Sequence, residues 1–421
     1  MYLTAIDLGS SQIKGIVAEI KKNGSIVVVK TFRKMARGMK RGEIIEPEET
    51  VKSLFEVLSD VKRFDRRCIK NLVFGISATH SMFHVSRGTV SIPRPDHEIL
   101  PEDIDRVVRE SLAVNMPSGW QIIHSFPREF IIDDIEVDDA NVVGLAGRKL
   151  SANVVLISVF SSVYRNFLKV AHLVLGKKSE FDGSLIFSPV ACEHAVLSKD
   201  QKDLGVVLVD IGFGVTSMSA YQDGKMITIK VFPVGSGNIT NDLAVGLKCS
   251  MQTAEKIKIE FGSATPRGIS IKEKVDLSEL EEGQGSEVSR KFIAEIIEAR
   301  IREIFSFVHK ELEAFGKIGK LPAGVVITGG GSKISGILDV AREELKLPAH
   351  IGFPNLERVE PSHASIAEEV DDPQMSVACG LVLQKVDTMR KGTGFGLMSK
   401  SSYNLNEPWF KKIIKTLMAS D

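Results

Sequence analysis

The chain has 421 residues, too many for a single core, so two or more lobes are expected. Hydrophobic residues make up 43% and charged residues 26%, and 54 Lys and Arg balance 54 Asp and Glu, without the basic excess of a nucleic-acid binder. The four cysteines (Cys68, Cys192, Cys249, Cys379) form no C-x-x-C pair, which fits a reduced compartment and argues against zinc. No apolar run approaches ~18 residues, so no membrane span is expected. The opening residues lack the basic and apolar regions of a secretion signal, so secretion is not expected either.

From Leu3 to Lys30 the sequence LTAIDLGSSQIKGIVAEIKKNGSIVVVK reads as a strand, a D-x-G turn, a second strand, an Asn-Gly hairpin and a third strand. Asp7 ends the first strand just before the small residues Gly9, Ser10 and Ser11. Such a loop brings backbone N–H groups against phosphate oxygens, and the Asp suits a magnesium ion held through water. Lys14, on the departing strand, would meet phosphate oxygens as a point charge. A basic loop, Arg37 to Gly42, follows. Pro47 then opens an amphipathic helix with Val51, Leu54, Phe55 and Leu58 on its apolar face. Leu72 to His80 is a further strand.

Between about Ser81 and Ser161 the character changes, with a helix from near Pro101 and strands in REFIIDD and NVVLISVF. This block reads as an inserted subdomain. His80 and His84 share a sheet face but lack a third ligand, so no metal is expected there. A helix over Val163–Leu175 follows. Glu193, after FSPVA, suits orienting an attacking water at a γ-phosphate; taken alone, it better suits the macrodipole of a helix start.

The first pattern then returns from Val206 to Val231 as VVLVDIGFGVTSMSAYQDGKMITIKV, with Asp210 ahead of Gly212, Phe213 and Gly214. GSGNITNDLAVGL predicts a helix from about Ile239 with Asn238 as its N-cap. The next helix sets Glu255 and Lys258 three apart on one face, suited to ribose hydroxyls. Residues 266–289 are polar and read as a surface excursion. RKFIAEIIEARIREIFSFVHKELEAF is a long amphipathic helix. VVITGGGSKISGI is a strand, a turn of Gly329, Gly330 and Gly331, and a helix, which suits close backbone approach to a nucleotide. MSVACGLVLQ is the last compact element. GTGFGLMSKSSYNLN reads as a tether, its GTGFG lacking the strand and helix of a dinucleotide loop. In EPWFKKIIKTLMASD, Trp409, Phe410, Ile413, Ile414 and Leu417 sweep one side of a helix and Lys411, Lys412 and Lys415 the other. That pattern suits a helix lying in the plane of an anionic membrane surface.

Two phosphate loops and a late glycine loop resemble the actin-like ATPases. SxxIKG after Asp7, RGMKRGEI, GNITNDLA, AEKIK, IIEAR and VVITGGGSKISG resemble, more narrowly, the FtsA family of bacterial cell-division proteins, over essentially the whole chain. The resemblance implies an α/β, actin-like two-lobed ATPase fold of duplicated ribonuclease-H-like domains. In it, residues 1–81 and 162–203 form subdomain 1A and 82–161 an inserted subdomain 1C. Residues 204–245 and 321–385 form subdomain 2A and 246–320 subdomain 2B, with a linker at 386–406 and a membrane-targeting helix at 407–421.

The resemblance also implies ATP and Mg2+ between the lobes. Asp7, Gly9, Ser10, Ser11, Lys14, Gly212, Phe213 and Gly214 would meet the phosphates, with Asp7 and Asp210 on the metal. Glu255 and Lys258 would meet the ribose and Gly329, Gly330 and Gly331 the adenosine, with catalytic parts for Glu193 and Asp210. The implied partners are the C-terminal peptide of FtsZ on the helix of Arg300 and Glu303, further copies in filaments, anionic lipid, and later division proteins at the insertion. Nucleic acid is not among them. The implied place is the cytoplasmic face of the cell membrane at the division site. Family members commonly read DIGGGTTD where this chain reads DIGFGVTS. Val215 lacks a hydroxyl and Phe213 restricts the backbone, so slow hydrolysis at most is expected. A PilM-like pilus-assembly ATPase and a small-molecule kinase are the alternatives on this fold; neither explains the terminal amphipathic helix.

Overall fold

The computed structural model describes residues 1–113, 116–137, 142–175, 185–280 and 287–391. Runs of β-branched residues put β1 (Tyr2–Leu8), β2 (Gln12–Ile20) and β3 (Ile26–Met35) into an antiparallel meander. A small hairpin of β4 (Met39–Lys40) and β5 (Glu43–Ile44) follows. Helix α1 (Pro47–Phe64) starts on its proline and buries Val51, Leu54, Val57, Leu58 and Val61. Phe55, expected on that face, is 44% exposed, because the buried stripe runs through Val57 and Val61 instead. Strand β6 (Leu72–Ile76) lies parallel to β1.

The insertion has its own sheet and core. Its elements are β7 (Ser81–Ser91), α2 (Pro101–Ser111), β8 (Trp120–Ile132), β9 (Ile135–Val137) and β10 (Lys149–Phe160). The sheet order is β7-β10-β8-β9, and Ile99, Val107, Leu150, Val154 and Leu156 form the core beneath α2. Lys225 of the second lobe bonds Glu129 at 2.9 Å and also pairs with Glu136, tying the insertion to that lobe. Desolvation would raise the Glu129 carboxyl, but hydrogen bonds from Lys225 and Asn153 hold it down to about 2.

The chain then re-enters the first lobe through α3 (Ser161–Leu175), β11 (Leu185–Phe187), α4 (Ser188–Val196) and α5 (Lys199–Leu204). The second lobe repeats the plan with β12 (Val206–Ile211), β13 (Thr216–Gln222) and β14 (Lys225–Phe232). Helix α6 (Ser236–Leu247) starts three residues before the expected Ile239. Gly235 is the N-cap, and Asn238 Oδ1 accepts the Gly235 N–H at 3.0 Å from one turn inside. Then come α7 (Met251–Phe261), β15 (Lys274–Asp276), β16 (Glu287–Ser289) and α8 (Arg290–Ala314). Residues 266–289 are not wholly a surface excursion, since Val275 and Leu277 are buried in the core under α8. The lobe closes with β17 (Val325–Thr328), α9 (Ile337–Leu345) and β18 (Ala349–Ile351).

The order β14-β13-β12-β17-β18 copies β3-β2-β1-β6-β11, two antiparallel pairings followed by two parallel ones. Strand alternation gives β12 two buried faces. Val207, Val209 and Ile211 pack into the second-lobe core, and Val206 and Leu208 into the first.

The end of the described chain belongs to the first lobe, which corrects the expected 321–385 boundary of subdomain 2A. Strand β19 (Glu360–Pro361) pairs with β3, and α10 (Ala364–Val370) and α11 (Ser376–Lys391) pack on the first sheet and α4. Helices α11 and α4 approach so closely that a Cβ on Gly380 would run into the Ala191 carbonyl. Helix α11 continues to Lys391, past the 386 at which a linker was expected. The expected membrane helix, with Trp409, Phe410, Ile413, Ile414, Leu417 and its lysines, lies outside the described residues.

Candidate nucleotide-binding cleft

The two D-x-G turns end equivalent strands and meet across a cleft of about 550 Å³ between the lobes. It brings together Asp7, Gly9, Ser10, Ser11 and Lys14 from the first turn, and Asp210, Gly212, Phe213 and Gly214 from the second. Glu255 and Lys258 of α7 line it, as do Gly329, Gly330 and Gly331. Two of the last three are glycines for a packing reason. Gly329 sits at φ +82°, and a Cβ on Gly329 or Gly331 would collide with Asp210 or Ile211 at the end of β12.

The charges in the cleft are unevenly partnered. In strand register Lys14 stands opposite Asp7, and its Nζ lies 3.0 Å from Asp7 Oδ2. The same ammonium donates to the Gln374 carbonyl at 2.7 Å. Ser217 stands opposite Asp210 in the second copy. Desolvation pushes the Asp210 carboxyl up to about 6, against the pull of Lys14 and helped by repulsion from Asp7. At the far end Lys258 Nζ donates to Glu255 at 2.6 Å and to Thr240 Oγ1 at 2.9 Å. Burial pulls the pKa of Lys258 down, with Glu255 opposing. Phe213 has a definite place here, its ring centroid 5.6 Å from the Lys258 ammonium.

Sequence reasoning missed several cleft residues, among them Gly42, Ser77, Arg290, Lys333, Pro373 and Gln374. The segment at Asp372–Gln374 joins the lobes. Asp372 takes Arg33 at 3.1 Å and Lys333 at 2.9 Å, and the Gly329 N–H donates to the Pro373 carbonyl at 3.2 Å. Asp372 followed by Pro373 is a helix-start signal, and that is the only trace of this junction in the sequence.

The family model described as "Cell division protein FtsA" matches residues 207–380, and "SHS2 domain inserted in FTSA" matches 79–158. The cell division protein FtsA of Pseudomonas aeruginosa is 30% identical over 406 residues, covering 96% of this chain and 94% of that protein. The chain belongs to the FtsA family. FtsA of Borreliella burgdorferi is 32% identical over 384 residues, 91% of this chain and 90% of that protein. The insertion is therefore the SHS2 domain of FtsA proteins. Among solved structures, the PilM–PilN type IV pilus biogenesis complex aligns with a TM-score of 0.64 at 16% identity, covering 91% of this chain and 98% of that one. MreB5 of Spiroplasma citri bound to ADP aligns at 0.52 and 13% identity, covering 93% and 99%. Both share the actin-like fold.

For an FtsA-family cleft the donor chemistry fits magnesium. Asp7 and Asp210 offer hard carboxylate oxygens at the phosphate end, and Ser10 and Ser11 add hydroxyls. Among the described residues no group of three or more His, Cys, Asp and Glu could hold a metal by itself. Magnesium commonly keeps waters and phosphate oxygens in its shell, so two carboxylates suffice.

Glu193 does not line this cleft, which corrects its expected place beside an attacking water. It is 4% exposed on α4, accepts a hydrogen bond from the Tyr221 hydroxyl, and lies 3.6 Å from Lys202 Nζ. It borders a separate cavity of about 380 Å³ where both lobes and the insertion meet. Arg300 on α8 forms a bidentate pair with Asp242 of α6 at 2.6 and 2.8 Å and also bonds Glu303. His80 pairs with Glu43 at 3.2 Å.

Proposed function

We propose that this protein is an ATP-binding, filament-forming cell-division protein that ties FtsZ to the cytoplasmic face of the cell membrane at the division site. The observation that carries the nucleotide reading is the convergence of two duplicated Asp-Gly turns and a glycine loop on one cleft. Backbone amides at Gly9–Ser11 and at Phe213 and Gly214 would receive the phosphates, while the Gly212 N–H holds the turn by donating to the Val215 carbonyl at 2.9 Å. Asp7 and Asp210 would hold Mg2+, which when bound offsets phosphate charge. Glu255 and Lys258 would meet the ribose. The MreB5 neighbours were solved with ADP and with AMPPNP, which supports nucleotide binding on this fold.

Membership of the FtsA family supports the division role, with filament contacts, FtsZ at α8 and later division proteins at the insertion. Hydrolysis is slow at most. Of the two expected catalytic residues only Asp210 faces the cleft, and Val215 supplies no hydroxyl beside it. Calorimetric titration of ATP, with and without Mg2+, tests the site. Asp210→Ala should weaken magnesium-dependent binding about tenfold or more, the scale of a lost contact to a charged group. Unchanged affinity and unchanged metal dependence would defeat the assignment.

A further inference from the structure

The hairpin of β4 and β5 reaches the cleft without belonging to either phosphate loop. Its turn is Arg41–Gly42, with φ of +50° and +75°, the both-positive pattern of a tight hairpin turn. A bulky residue such as Arg rarely adopts that backbone, and outliers of this kind gather at ligand sites. The tip is held from the first lobe. The Gly42 N–H donates to Ser10 Oγ at 2.8 Å, and Gly42 packs so tightly on Ser77 that a Cβ would lie 2.9 Å from its side chain. Thr79 Oγ1 donates to Glu43 at 2.8 Å on the departing strand. From the second lobe, Gly214 comes so near that a Cβ there would lie 3.1 Å from the Arg41 backbone nitrogen. The tip therefore touches the phosphate loops of both lobes, and Gly42 lines the cleft between them.

The Arg41 side chain is exposed, and among the described residues it makes no ion pair or hydrogen bond. Arg33 pairs with Asp372, Lys34 with Asp60 and Arg37 with Glu56. Lys40 is also exposed, but it follows buried Met39 on β4 and so faces away from the hairpin's packed side. Among the described residues, that leaves Arg41 as an unpaired cation beside the phosphate loops, on a turn fixed to both lobes.

We propose that Arg41 reads the terminal phosphate, its guanidinium closing over the third phosphate of ATP while the tip stays keyed to Gly214. This rests on the nucleotide reading above and adds to it a residue that distinguishes nucleoside triphosphate from diphosphate. A planar guanidinium pairs two-pronged with a phosphate, and a turn seated on both lobes converts that contact into a preference for their closed arrangement.

The test is calorimetry on the full chain with magnesium and either AMPPNP or ADP. Arg41→Asn removes the cation while keeping a residue that tolerates the left-handed backbone. It should weaken AMPPNP about tenfold or more and ADP less than about twofold. Arg41→Lys should recover part of the loss, Lys40→Ala should behave as wild type, and the unfolding temperature should not move. Equal weakening of both nucleotides, or of neither, overturns the role of Arg41, as does a Lys40→Ala variant that loses as much. Wild type binding both nucleotides with an unaltered ratio in Arg41→Asn sinks only this inference. Wild type binding neither sinks the nucleotide reading with it.

Discussion

Asp7 and Asp210 sit at matching ends of matching strands, yet different residues face them. Lys14 faces Asp7 across the strand pair, whereas Ser217 faces Asp210. Desolvation then prevails at Asp210 and lifts it to about 6. An unfolded aspartate titrates near ~3.9, so this carboxyl binds its proton more tightly in the folded state. The sign follows: its contribution favours the fold at low pH and is lost as pH rises through about 6. Asp210→Asn, which cannot ionise, should therefore stabilise the metal-free protein at pH ~8 by on the order of 3 kcal/mol, with the gain vanishing below pH ~4. Urea midpoints across that range measure it. A gain independent of pH would mean that Asp210 does not titrate there. Asp210 itself was legible in the sequence, because D-x-G after a buried strand is local chemistry. Its acidity was not, because that depends on what the other lobe places above it.

Helix α8 shows the same division at the scale of an element. Its register was legible, since Ile293, Ile297, Ile301, Ile304, Val308 and Leu312 recur at helical spacing and all reach the core. What its polar face does was not, because Asp242, the partner of Arg300, lies 58 residues away on α6. If FtsZ docks here, Arg300 must be shared between Asp242 and the peptide. Arg300→Glu should weaken binding of an FtsZ C-terminal peptide about tenfold, read by fluorescence anisotropy. Asp242→Asn breaks the same bridge but frees the Arg300 charge, so it should leave binding unchanged or tighter. Equal weakening in both variants would attribute the loss to the broken tie between α6 and α8. The start of α6 was missed for a related reason, its Asn238 capping Gly235 from inside the helix.

At the scale of the whole molecule the duplication was legible, and the final course of the chain was not. Two residues of β19 and the crossing of α11 over α4 decide that course, and neither leaves a periodic signal. Helix α11 ends on the first lobe at Lys391, and the described residues end with it. A truncation ending at Lys391 should lose most of the sedimentation with anionic liposomes that the full chain shows, if the lysine-flanked apolar face at 407–421 is the anchor. Equal sedimentation of the two would remove that segment from the membrane reading.

The same return gives the lobes two covalent crossings, one at Gly205 between α5 and β12, the other between β18 and β19. The second runs beside α4, where Asn355 N–H meets the Ala195 carbonyl and Arg358 the His194 carbonyl at 2.9 and 2.8 Å. A body joined to another by one strand can swivel about it. Joined by two, it folds most easily along the line between them, as a door does. Two crossings thus favour opening and shutting of the jaws over a swivel, so that whatever fills the cleft is read as an angle.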